Sequence, residues 1–131
     1  MDLKVFFVSL GMILILDFIW IQLIMKRFYF KEFFKIGRKE RGKLKPRLIP
    51  GLIVYLILAL GISLFVIPIS DTLLKSLIYG GLFGLIIYGI YDLTNLSVLE
   101  NYSKKLTIID IIWGIFLLGI VSFLTRLICI N

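Results

Sequence analysis

The sequence predicts an all-α membrane protein, a single domain built as a bundle of four transmembrane helices. Three observations carry this. First, 60% of the 131 residues are hydrophobic and the mean hydropathy is +1.06, whereas a soluble domain is usually about 45–50% apolar. Second, the apolar residues fall into four runs, each near the ~20 residues that a helix needs to cross a bilayer core. Third, these runs are too long and too evenly apolar for the alternating strands of a membrane barrel, and open backbone cannot face lipid. An ordinary soluble globule, a disordered tail and a disulfide scaffold are excluded, because Cys129 is the one cysteine. Histidine is absent. Zinc sites and Cys–His chemistry are therefore excluded too, and no metal site is assigned.

The expected spans cover about residues 5–25, 48–69, 74–98 and 107–128. Within the first, only Ser9, Asp17 and Gln22 interrupt the apolar run. It is longer than the apolar core of a signal peptide and no A-x-A cleavage site follows, so it is read as a retained span. The second span carries no charge. The third carries Lys75 at its start and Asp92 late; the fourth carries Asp110 early and Arg126 late.

Charge sets the orientation. Residues 26–47 hold ten lysines and arginines against Glu32 and Glu40, and the loop after the third span adds Lys104 and Lys105. Only Lys4, Lys75 and Arg126 fall on the other side. Positive-inside logic places the basic first loop in the cytoplasm and both termini outside. The net charge of +7 is thus a topology signal, and no nucleic-acid partner is expected. The first loop mixes aromatics with cations from Arg27 to Ile36, then meets Gly37, Gly42 and Pro46, which break a helix. As an interfacial helix it would bury Phe30, Phe33 and Phe34 among headgroups while its lysines meet anionic phosphates. The structural reading is an orientation determinant with an aromatic belt.

The candidate site rests on three intramembrane carboxylates. A charged side chain at this depth costs at least ~2.5–3.5 kcal/mol. At about 1.5 Å per residue, Asp17 lies roughly 12 Å from the cytoplasmic edge, Asp92 about 9 Å and Asp110 about 5 Å. Three helices therefore aim an acid at one layer. On the third span Gly81, Gly84, Tyr88, Asp92 and Asn95 share a face, and Gly80 with Gly84 forms a GxxxG pair. The close-packed face and the polar face coincide, so Asp92 should look into the bundle. Tyr88 and Asn95 are placed to hydrogen-bond it, with Tyr91 and Thr94 on flanking faces. Asp17 and Trp20 are three residues apart, as are Asp110 and Trp113, so each indole can reach toward its own acid or a ligand. The shared D-x-I-W string is not an inverted repeat, because the two acids sit at unlike depths in their spans. The structural reading is hydrogen bonding that holds the bundle together, with Asp110 capping the last helix.

Several strings resemble one bacterial family. They are Leu16-Asp17-x-x-Trp20, Tyr79-Gly80-Gly81-Leu82-Phe83-Gly84, Tyr91-Asp92-Leu93-Thr94-Asn95-Leu96 and Asp110-x-x-Trp113-Gly114. In that order they cover nearly the whole chain and are similar to the predicted inner-membrane family called domain of unknown function 2177. The resemblance implies four membrane helices and a multi-pass protein of the bacterial inner (cytoplasmic) membrane. It supplies no catalytic mechanism.

Three functions are compatible with these residues. One is binding or modification of a membrane lipid or other apolar ligand. Asp92 would accept or hold a proton, Asp17 and Asp110 would stabilise positive charge or a hard divalent cation, and Trp20, Trp113 and Tyr88 would flank the ligand. No phosphate-recognition motif accompanies the acids, so an enzymatic role is left open and no cofactor is named. The second is a small proton-coupled transporter, against which the one-sided charge distribution stands. The third is an accessory subunit whose GxxxG face docks another membrane protein.

Overall fold

A computed structural model describes residues 1–130. The chain order is α1 (Leu3–Ile24), α2 (Lys26–Phe34), β1 (Lys39–Glu40), β2 (Lys43–Leu44), α3 (Leu48–Ile69), α4 (Leu73–Val98) and α5 (Lys104–Cys129). The helices α1, α3, α4 and α5 are long and apolar enough to cross a membrane. Three of them start on a side-chain cap: Asp2 accepts from the Lys4 amide, Thr72 from Lys75 and Ser103 from Leu106. Both α1 and α3 contain a wide π-helical turn, over Ile19–Ile24 and Ile62–Val66. The first ends where the Met25 amide reaches back to the Trp20 carbonyl at 2.8 Å. There the backbone swings into α2.

α4 and α5 approach most closely, and glycine makes that possible. A methyl group at Gly84 would strike the backbone of Gly114, and one at Gly80 would strike Ser122 and the Leu118 carbonyl. Gly81 is different: a methyl there would meet Ile115 at an ordinary 3.5 Å. The GxxxG face, expected to let a neighbouring backbone approach, is filled by α5 of the same chain, which leaves it closed to the docking of another protein. The main core lies among α1, α3 and α5, around Ile13, Ala59, Ile62, Leu117 and Val121.

The 26–47 segment is more ordered than a loop. α2 folds back over one end of the bundle and builds a second core, in which Tyr29 meets Tyr102 and Leu106. This corrects the expected placement of Phe33. Its ring stacks on Tyr29, with centroids 6.1 Å apart, because the two are one turn apart on the packed face. Phe30 and Phe34, on another face, point outward beneath Lys26 and Lys39. A short hairpin follows. Lys39 pairs with Leu44 and Glu40 with Lys43, and the two-residue turn uses positive φ at Arg41 (54°) and Gly42 (78°). Arg38 donates to the Lys45 carbonyl at 2.8 Å. Gly37 seats the hairpin on α2: a β-carbon there would lie 2.6 Å from the Phe33 carbonyl oxygen.

Arg126 lies at the end of the bundle opposite α2 and is buried there. Its Nε donates to Ser76 Oγ at 2.7 Å and its Nη2 to the carbonyls of Ile67, at 2.8 Å, and Ser70. These carbonyls belong to the end of α3, where helical acceptors lack partners. One guanidinium thus ties the α3–α4 turn to α5.

Candidate functional site

Five helices and one loop build the site, at the end of the bundle that carries α2. Asp17 on α1 and Asp110 on α5 are nearly inaccessible, and Asp92 on α4 is fully buried. Asp92 and Asp110 are neighbours across the α4–α5 contact, and Asp17 is linked to Asp110 through Trp113, Trp20 and Tyr29. The three acids therefore gather as their depths predict.

Their donors are not the expected ones. Trp113 Nε1 donates to Asp17 Oδ1 at 2.8 Å, and Tyr55 Oη on α3 donates to the other oxygen of Asp17. Trp20 Nε1 donates to Tyr29 Oη at 3.0 Å, and Tyr29 Oη in turn donates to Asp110 Oδ1 at 2.9 Å. Tyr102 Oη donates to Asp92 Oδ1. Neither indole meets the acid on its own helix: Trp113 reaches Asp17, and Trp20 reaches Asp110 only through Tyr29. An indole N–H sits at the far edge of a large ring, so it reaches the neighbouring helix. The two rings fix each other by stacking, with centroids 4.4 Å apart and planes 5° from parallel.

The remaining predicted residues separate into three groups. The ring of Tyr88 lies over Gly114 and holds α4 against α5. Asn95 stands beside Tyr102 rather than donating to Asp92. Tyr91 and Thr94 lie on faces flanking that of Asp92 and are exposed.

Tyr29, Tyr55 and Tyr102 were not singled out from the sequence. Only Tyr55 left a signal, as a phenol inside a charge-free span, where a buried acid elsewhere needs a donor. Burial, and then the charge of Asp110, pushes the Tyr29 phenol above its usual range. Burial and then Asp92 do the same for Tyr102. Both remain proton donors at neutral pH.

Every donor to these acids is neutral. The ion pairs among the described residues, Lys35–Glu32, Arg38–Glu40 and Lys75–Asp71, all lie outside the cluster. Asp92 Oδ2 is buried without a hydrogen-bond donor. A proton on Asp92 or on its neighbour Asp110 would supply the donor that this oxygen lacks. No group of three metal-ligating side chains is arranged around a common point among the described residues, which gives the divalent-cation reading no support.

Fold and site together define a helical membrane protein with an acid cluster buried between its spans. Residues 2–127 match the family model described as "Predicted membrane protein (DUF2177)", and the chain belongs to that family. No curated protein and no solved structure matches the chain.

Proposed function

We propose that this protein binds an amphipathic membrane molecule, with its polar end at the acid cluster and its apolar body between the helices. The ligand's polar end carries positive charge or hydrogen-bond donors. One observation carries the reading: carboxyl groups from three spans converge in a buried layer where only phenols and indoles meet them. Isolated acids at this depth are costly and mark functional sites by default. The stacked Trp20 and Trp113 offer a flat apolar wall and suit a cationic group. The concentration of lysine and arginine on 26–47 supports a cytoplasmic position for this end of the bundle. With the family resemblance, it supports residence in the bacterial inner membrane.

Proton-coupled transport is the second reading. The buried, unpartnered Asp92 Oδ2 favours it, because a carboxyl that lacks a donor can take up a proton and release it to a cation.

The test is native mass spectrometry of the protein gently extracted from its own membrane, wild type beside Asp92→Asn. A defined molecule retained by wild type and lost in the variant supports ligand binding and identifies its class. Nothing bound to either, with equal stability, rejects it in favour of proton-flux measurements.

A further inference from the structure

An opening lies outside the acid cluster. It has a volume of about 430 Å³ and lies between the last turn of α1, helix α2 and the hairpin. Ile21, Phe30, Phe33 and Leu44 make its walls apolar, and Arg38 and Pro46 lie on the hairpin side. This is within the size range of small-molecule sites, about 300–1,000 Å³.

The opening is a built feature. Gly37 lets the hairpin sit directly on α2, and the Lys45 amide and carbonyl bond to Arg38 from both sides, at 2.9 and 2.8 Å. That contact orients the guanidinium and leaves it accessible. Its acidic neighbour is Glu40, 4.0 Å away and itself exposed. Lys39, Arg41, Lys43 and Lys45 lie on the same hairpin segment. One wall belongs to a membrane span and the other lies just beyond it, so the opening crosses the level where hydrocarbon gives way to water. An occupant needs an apolar body at span depth and negative charge at the rim.

We propose that this opening is a binding site for an anionic phospholipid, with an acyl chain entering between Ile21 and Phe33 and the phosphate on Arg38. It goes beyond the ligand of the acid cluster and is separate from it, although Tyr29 borders both.

The experiment uses the full chain in nanodiscs of phosphatidylcholine and phosphatidylglycerol. Trace lipid carries a photoreactive diazirine on its acyl chain, under either headgroup, and the labelled peptides are mapped. Labelling of residues 28–44 several-fold stronger with the phosphatidylglycerol probe supports the site. Arg38→Gln should reduce that labelling to the phosphatidylcholine level. Leu44→Trp, which fills the opening, should reduce both. Lys31→Gln with Lys104→Gln removes two cations from the same end without touching the walls, and should keep the preference. Asp92→Asn should keep it as well, so failure at the acid cluster and failure here read differently. Equal labelling by the two probes in wild type overturns the proposal. So does a loss in the Lys31/Lys104 variant as large as in Arg38→Gln.

Discussion

The indole nitrogen of Trp113 lies 2.8 Å from Asp17 Oδ1 and joins the last membrane helix to the first across 96 residues of chain. The same ring stacks on Trp20, whose own N–H is committed to Tyr29. The acid cluster and the docking of α2 are therefore parts of one network.

Replacing Trp113 by Phe keeps an aromatic ring against Trp20 but removes the donor to Asp17. Tyr55→Phe removes the second donor. A buried polar group left unsatisfied costs about 1–3 kcal/mol. Each variant should lower the unfolding midpoint in detergent, and the double variant should lose more than the two combined. A double variant as stable as wild type would mean that water reaches Asp17.

The α4–α5 contact separates two neighbouring glycines. Gly84→Ala drives a methyl into the Gly114 backbone and should cost about 1–3 kcal/mol, the usual penalty of overpacking. Gly81→Ala meets only an ordinary contact and should change stability by less than about 0.5 kcal/mol. Denaturation in mixed micelles, read by circular dichroism, distinguishes them.

Arg126→Met removes one side chain that serves Ser76 and the carbonyls of Ile67 and Ser70. Hydrogen bonds to charged groups contribute about 1.5–3 kcal/mol, so this should be among the most damaging single changes. Arg126→Lys should recover part of the loss, since one ammonium cannot reproduce the planar fork. Protease sensitivity of the α3–α4 turn reports on it directly.

Docking of α2 should depend on pH through Glu32. The Ser103 hydroxyl and then Lys35, 3.0 Å away, hold its carboxyl below the usual range. The undocked state then binds more protons in acid. The stabilisation is complete above the ordinary carboxylate range and is lost as pH falls through the lowered value. A nitroxide at Lys31→Cys, in a Cys129→Ser background, should gain mobility on acidification. Adding Glu32→Gln should remove that part of the response.

Orientation is testable with the single native cysteine. Cys129, at the end of α5, should react with an impermeant maleimide on intact cells. Arg41→Cys in a Cys129→Ser background should react only after permeabilisation. The opposite pattern would reverse the assignment made from charge.

Much of the site was legible because burying an acid is a local, costly event. Asp17, Asp92 and Asp110 announce themselves by interrupting apolar runs, and helical rise alone brings them to one level. Their donors were not legible in that way. Tyr29 and Tyr102 lie outside the spans, in segments whose packing over the bundle end depends on contacts with α4 and α5. The hairpin was hidden too: Gly37 and Gly42 read as breakers of a helix, and only the seating of Gly37 on α2 shows what they permit.

The sequence by itself determined four membrane helices, their approximate limits, the glycine face of α4 and the inward aim of three carboxyls. Each follows from a cost paid residue by residue, in apolar length or in the burial of charge. Tertiary structure decided which donor meets which acid. Indole and phenol groups act at the ends of long side chains, so their partners depend on how close the helices come. That distance is set by contacts such as Gly84 on Gly114 and Trp20 on Trp113, between residues far apart in the chain.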